Sequence, residues 1–127
     1  MSTILKKSEK IIKKTEPHKT YTYECVLEKS IAYFNGDELA ATTWMNKYAM
    51  KDNAGEFVEQ SPDDMHKRMA KEFGRIESDY KLKYSLNGSA KFLSKYGRER
   101  DDLTEKKIYN YFKNFGDIIP QGSVMSS

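Results

Sequence analysis

One stripe of large apolar residues, repeating at the spacing of an α-helix, constrains the fold of this chain more than any other feature. Its members follow one another at intervals of four, four and three residues, and they are Met65, Met69, Phe73 and Ile76. Residues at this spacing share one face of a helix. The stripe therefore predicts an amphipathic helix whose apolar face belongs to a core.

The start of this helix is equally clear. Ser61 is a favourable N-cap, and Pro62 suits the first helical position. Asp63 and Asp64 complement the positive end of the helix dipole, and Ser61 and Asp64 have the spacing of a capping box. Although two adjacent carboxylates could serve acid–base chemistry, the capping role explains both of them more economically.

Further helices are predicted on both sides of this one. Thr22 can cap a helix over residues 23–34, which Asn35-Gly36 stops because both residues tolerate positive φ. Asp37 then caps a second helix that runs to about residue 50. Two helices joined this closely should pack as a hairpin.

The remaining segments are less regular. Residues 51–60 are predicted to form a loop or a small β-turn element, with Phe57 and Val58 as possible strand residues. Residues 80–103 are ambiguous apart from a turn signal at Asn87-Gly88. Thr104 is predicted to cap a last helix that Gly116 closes. The chain is therefore predicted to be mainly α, with four or five helices.

The composition allows one domain with a modest core. Of the 127 residues, 38% are hydrophobic and 32% are charged, and the 13% of aromatic residues argue against wholesale disorder. No apolar stretch is long enough for a membrane span, and the single cysteine, Cys25, fits a reducing compartment. We therefore expect a cytoplasmic protein that does not enter a membrane.

Basic residues are concentrated near the N-terminus. Residues 1–20 hold six lysines and are predicted to be a flexible leader, with binding of nucleic acid or another anion as the minority interpretation. The formal net charge of the whole chain is only +3, because acidic and basic residues nearly balance after residue 20. A small basic helical protein that binds nucleic acid, or that serves as a scaffold, is thus the alternative function.

The sequence holds no catalytic or metal-binding motif. His18 and His66 have no ligand partner at the spacing of a metal site. His66 is predicted to be solvated on the helix surface, beside Asp63 and Arg68. Cys25 is predicted to be a passive thiol in an amphipathic helix rather than a nucleophile.

The C-terminal segment carries the one feature that suits a ligand. Ile118-Ile119 leads into a Pro–Gly turn in which Gly122 permits the close approach of an anion. The Ser123 hydroxyl can donate a hydrogen bond to a phosphate oxygen, although Gly-Ser steps are common in loops. Because the chain stops as an extended apolar segment enters a fold, we expect it to be a piece of a larger protein.

Three blocks of sequence, taken in order, resemble one family. They are residues 35–49 (NGDELAATTWMNKYA), 61–73 (SPDDMHKRMAKEF) and 118–125 (IIPQGSVM). Together they resemble the N-terminal helical region of the large, catalytic subunit of ribonucleotide reductase. The resemblance covers about residues 21–127 and is closest to the adenosylcobalamin-dependent enzymes and their radical-subunit-dependent relatives.

This resemblance implies an activity that the residues alone do not. The family's subunit is a ten-stranded α/β barrel in which a cysteine thiyl radical takes the 3′ hydrogen of a ribonucleotide, and two further cysteines supply electrons to remove the 2′ hydroxyl. Adenosylcobalamin or a radical-generating small subunit provides the radical. Cys25 matches none of these cysteines, so the resemblance implies a chain that has no catalytic residue, binds no cofactor alone and is inactive without the barrel.

The resemblance also implies a site and domain boundaries. Ser123, with Gly122 as its backbone neighbour, matches the position at which the family presents a hydroxyl to the substrate phosphate. Residues 21–117 correspond to the helical domain, and residues 118–127 to the first strand and edge of the barrel. The implied partners are the barrel-bearing remainder, the ribonucleotide and a radical-generating small subunit, and the implied process is deoxyribonucleotide synthesis for DNA replication.

Overall fold

The computed structural model describes residues 19–86 and 93–125. Most of the lysine-rich leader and the predicted turn at Asn87-Gly88 lie outside these ranges. Within them the chain is mainly helical, as predicted. The elements in chain order are α1 (Tyr23–Tyr33), α2 (Glu38–Lys47), α3 (Pro62–Leu86), α4 (Lys95–Glu99), α5 (Glu105–Phe112), a 3₁₀ turn (Lys113–Phe115) and α6 (Gly122–Met125).

Side-chain caps start α1, α2 and α5 where the sequence predicts them. Thr22 accepts a hydrogen bond from the backbone N–H three residues later at 3.3 Å, and Asp37 and Thr104 do the same at 3.0 and 3.3 Å. Asn35 and Gly36 hold φ values of 56° and 93°, the left-handed conformation that ends a helix. These signals are local, and the structure confirms them.

The end of α5 differs from the prediction. The helix passes into the 3₁₀ turn, in which Asn114 and Phe115 hold φ values of 56° and 50°. Gly116 has a φ of −78° and so does not supply the left-handed residue. This earlier turn places the centroid of the Phe115 ring 4.6 Å from that of the His66 ring.

The longest helix, α3, organises the fold. It extends over 25 residues, and α5 packs along it more extensively than any other described element. Gly74 permits this crossing, because a Cβ added there would lie only 3.2 Å from the Glu105 Cβ and 3.3 Å from its Cα. The helices α1 and α2 pack together as the predicted hairpin, and α1 also contacts α3.

The core lies between the hairpin, α3 and α5. Its buried members are Val26, Trp44, Met45, Phe57, Met65, Met69, Ala70, Ile108, Phe112 and Met125. The Trp44 indole N–H donates to the Met65 sulfur at 3.3 Å, which satisfies the buried indole. The predicted stripe is buried only in its first half, because Met65 and Met69 are at most 3% exposed whereas Phe73 is 39% exposed.

The loop between α2 and α3 is held by isolated antiparallel bridges rather than by a strand. Phe57 pairs with both Tyr21 and Lys51, and its buried ring anchors the loop to the core. No longer strand occurs in residues 19–86 or 93–125. Over the same ranges, no helix is both long enough and apolar enough to cross a membrane.

Candidate functional site

The two predicted substrate-binding residues lie in α6. Gly122 and Ser123 are the first two residues of this short helical turn, which ends at Met125. The segment before it, residues 118–121, has no regular secondary structure. The candidate site is therefore a single helical turn reached through an irregular segment, and its geometry depends on what holds the turn in place.

Contacts at both ends of α6 hold it against the rest of the domain. The Met125 side chain is buried in the core at 8% exposure, and its carbonyl oxygen accepts a hydrogen bond from Arg68 Nη2 at 2.6 Å. At the other end of the turn, a Cβ placed on Gly122 would lie 3.5 Å from the ring of Tyr48. The turn thus sits between α3 and the end of α2.

Arg68 is part of an ion pair whose carboxylate is buried, while the arginine side chain is 20% exposed. Its Nε donates to Glu59 Oε1 at 2.6 Å, and Glu59 is 4% exposed. The second carboxylate oxygen, Oε2, accepts the backbone N–H of Met50 at 3.1 Å. Because Arg68 also binds the Met125 carbonyl, this pair joins the loop before α3, α3 itself and α6. Sequence reasoning missed the pair, since a nine-residue spacing across a helix start carries no periodic signal.

The prediction that His66 is solvated is wrong. His66 is fully buried, with the rings of Phe112 and Phe115 centred 6.3 and 4.6 Å away. Its Nδ1 lies 3.4 Å from the Tyr33 hydroxyl, and its Nε2 has no hydrogen-bond partner among the described residues. Burial lowers the pKa of His66. The prediction failed because α5 and the 3₁₀ turn cover a second face of α3, which the single apolar stripe did not indicate.

Asp63 and Asp64 have separate partners. Asp64 accepts the backbone N–H of Gln60 at 2.9 Å, which is a capping contact at the start of α3. Asp63 accepts a hydrogen bond from the Tyr109 hydroxyl and pairs with Lys67 at 3.1 Å. The two carboxylates therefore do not act as one acid–base pair, and the tie from Asp63 to α5 is a contact that the sequence did not reveal.

The electrostatics of Asp63 follow from these partners. Burial raises the pKa of Asp63, but the hydrogen bonds from Tyr109 and Lys67 together outweigh it and hold the pKa below its usual value. The same hydrogen bond raises the pKa of Tyr109 to about 12. Asp63 is thus a charged acceptor that links α3 to α5.

The described residues offer little for other chemistry. They contain no group of three or more His, Cys, Asp or Glu side chains that could hold a metal ion. Cys25 is half-buried on α1, and its role as a passive thiol stays a prediction.

A comparison with protein families identifies the domain. The family model described as "Ribonucleotide reductase, all-alpha domain" matches residues 34–125, more than two thirds of the chain. The chain belongs to this family. In this ribonucleotide reductase domain the match spans α2 to α6, so it includes Glu59, Arg68 and the candidate site. No match was found among curated proteins or among solved structures.

Proposed function

We propose that this chain is the N-terminal helical portion of a ribonucleotide reductase large subunit and contributes to the cytoplasmic reduction of ribonucleotides for DNA synthesis. The observation that carries the proposal is the family match over residues 34–125. Cys25 is the only cysteine of the chain, so the radical and redox cysteines must come from a barrel-bearing partner. The chain is inactive without that partner.

In the proposed enzyme, Ser123 contacts the substrate phosphate. Its hydroxyl donates a hydrogen bond to a phosphate oxygen, and the charge of the phosphate strengthens that bond. Gly122 lets the backbone approach the anion because it has no side chain. The support for this assignment is the match of the Gly-Ser step to the family's pattern, together with the anchoring of α6 by Arg68.

An apolar surface beside the candidate site suits the proposed partner. Ile118 and Ile119 are 47% and 63% exposed, and Tyr111 next to them is 42% exposed. The backbone N–H of Ile118 is bonded to the Tyr111 carbonyl, which holds the surface together. We propose that the barrel covers this surface and that residues 118–120 add to the edge of its sheet.

The cofactor belongs to the whole enzyme rather than to this chain. The radical that starts the reaction comes from adenosylcobalamin or from a radical-generating small subunit, and the barrel portion receives it. The substrate is a ribonucleoside diphosphate or triphosphate. The barrel-bearing parts of the enzyme determine both the radical source and the number of phosphates on the substrate.

Reconstitution tests the proposal. The chain is mixed with a barrel-bearing portion of a ribonucleotide reductase, and deoxyribonucleotide formation is measured with each radical source and each phosphate length. We expect activity only in the mixture, and a Ser123→Ala variant that raises KM while still binding the partner. If the mixture forms no complex and no deoxyribonucleotide, the proposed function is wrong.

The nucleic-acid alternative is not favoured by the described surface. In residues 19–86 and 93–125, 16 Lys and Arg residues are balanced by 17 Asp and Glu residues, and five of the basic side chains form ion pairs: Lys67–Asp63, Arg68–Glu59, Arg75–Glu72, Lys81–Asp102 and Arg100–Glu77. Paired charges present little net positive potential to a phosphate backbone. Weak DNA or RNA binding without a steep salt dependence would agree with this assessment.

A further inference from the structure

We propose that Arg68, held by Glu59, is the positioning residue for the phosphate contact of this domain. This inference rests on the proposed function. Arg68 donates to the carbonyl of Met125, two residues from Ser123, and thereby fixes the turn on which the proposed contact stands. Arg68 does not touch the substrate in this proposal, and its effect is exerted through the backbone of α6.

The turn needs such a support because it is too short to hold its own shape. It has four residues, and the hydrogen bond from the Met125 N–H to the Gln121 carbonyl is long, at 3.4 Å. A helix of this length does not form unaided, since a single turn fixes more backbone torsions than its hydrogen bonds repay. Its conformation is therefore set by tertiary contacts, and the hydrogen bond of 2.6 Å from Arg68 is one of them.

The arginine in turn depends on Glu59 for its orientation. The guanidinium binds the Glu59 carboxylate through Nε and the Met125 carbonyl through Nη2. Glu59 is itself fixed by the backbone N–H of Met50. A lysine has one terminal nitrogen and no planar fork, so it cannot reproduce two bonds in these fixed directions. The geometry of the pair is thus specific to arginine.

The chain provides a matched control on the same helix. Arg75 also forms a forked pair, with Glu72 and Asp79, but its side chain is 57% exposed and its partners among the described residues all belong to α3. Arg75→Lys therefore makes the same chemical change two turns away without touching α6. The test variants are Arg68→Lys and Glu59→Gln, both of which keep most of the side-chain volume.

The first measurement uses the chain alone. Amide hydrogen exchange is followed at residues 122–125 and, for comparison, at residues of α1 and α2. We expect Arg68→Lys and Glu59→Gln to accelerate exchange in α6 by about tenfold or more, because the local opening of the turn becomes easier. We expect Arg75→Lys to leave α6 unchanged. Equal exchange in α6 for Arg68→Lys and Arg75→Lys would overturn the proposal.

The second measurement separates positioning from general stability. In the reconstituted reductase, displacement of the phosphate contact should raise KM for the nucleotide by about tenfold to a hundredfold, with a smaller change in kcat. Partner binding should stay at the unmodified level, and Arg75→Lys should match the unmodified chain. An unmodified mixture without activity would contradict the proposed function, whereas an active mixture in which Arg68→Lys has an unchanged KM would contradict this inference alone.

Discussion

At the scale of the residue, buried and partly buried polar groups tie the helices together. His66 lies between the rings of the 3₁₀ turn and α5, and Asp63 bonds to Tyr109 across the same helix pair. The surroundings of each group set its protonation state. Burial disfavours the protonated form of His66, whereas hydrogen bonds favour the ionised form of Asp63. Their titration is therefore linked to folding.

We expect the protonation of His66 to destabilise the domain in mild acid. Its pKa in the folded state lies below the ordinary value of 6.5, so the unfolded chain binds the proton more readily. Stability is fully present above pH 6.5 and is lost as the pH falls from 6.5 toward the folded pKa, by up to about 1.4 kcal/mol per pH unit. Urea unfolding at pH values from 8 to about 5 measures this slope.

His66→Phe is the variant that isolates this effect. Phenylalanine keeps an aromatic ring beside Phe112 and Phe115 and has no group that titrates. We expect the loss of stability between pH 7 and about 5 to shrink in the variant by the His66 contribution. Tyr33 and Asp63, which face His66, keep their charge states in this range, because the pKa of Tyr33 is raised and that of Asp63 is lowered. An unchanged slope would show that another group titrates.

Tyr109→Phe tests the bond to Asp63. Removing the hydroxyl leaves a partly buried carboxylate with one fewer donor, and we expect a loss of about 1.5–3 kcal/mol in the free energy of unfolding at pH 7. Tyr111→Phe is the control on the same helix, because Tyr111 is 42% exposed, and it should change stability by less than about 0.5 kcal/mol. The Tyr109→Phe deficit should decrease as the pH falls through the lowered pKa of Asp63. Equal effects of the two substitutions would argue against the Asp63 bond.

At the scale of the element, the crossing of α3 and α5 depends on a glycine. Gly74 is buried on α3, and any Cβ there meets the backbone of Glu105, which cannot move as a flexible side chain does. Helix propensity alone would favour alanine at this position by about 1 kcal/mol. Helix packing therefore favours glycine at this position, whereas helix propensity favours alanine.

We expect the packing cost to exceed the gain in helix propensity in Gly74→Ala. The added methyl must push the two helices apart, and overpacking of this kind costs about 1–3 kcal/mol. The net result should be a lower free energy of unfolding, measured in urea at constant pH. Ser78→Ala, at an exposed position one turn further along α3, should be neutral or slightly stabilising. A stabilised Gly74→Ala would mean that the helices can separate without loss.

The helix starts could be predicted from sequence because their causes are local. Thr22, Asp37 and Thr104 each bond to a backbone N–H three residues away. The burial of His66 could not be predicted in this way, since it depends on α5 and the 3₁₀ turn, far along the chain. The pairing of Arg68 with Glu59 could not be predicted either, because a nine-residue spacing across a helix start carries no periodic signal. Ser123 could be singled out because it belongs to a local Gly-Ser step. The hydrogen bond from Arg68 to Met125 that anchors its turn could not be predicted, because it joins residues far apart in the chain.

At the scale of the whole molecule, the exposed apolar surface at Ile118 and Ile119 is where the proposed partner should bind. We expect Ile119→Asp to weaken association with the barrel-bearing portion by about tenfold or more, because a charge would be buried in an apolar contact. Since Ile119 is 63% exposed, the free energy of unfolding of the chain itself should change by less than about 0.5 kcal/mol. Binding is measured by titration calorimetry.

Leu39→Asp is the matched control. Leu39 is 78% exposed on α2, so the same charge is introduced at an equally open position far along the chain. We expect it to leave partner binding unchanged. If both variants bind as tightly as the unmodified chain, the surface at Ile118 and Ile119 is not the interface.

The bond from Arg68 to Met125 joins residues 57 positions apart in sequence, whereas the α1–α2 hairpin closes over a few residues. Closing a long loop costs more entropy than closing a short one, so long-range contacts tend to form late in folding. We therefore expect α6 to dock last, after α3 and the loop that carries Glu59 are in place. A chain in which α6 has not yet docked would therefore not present the proposed phosphate contact.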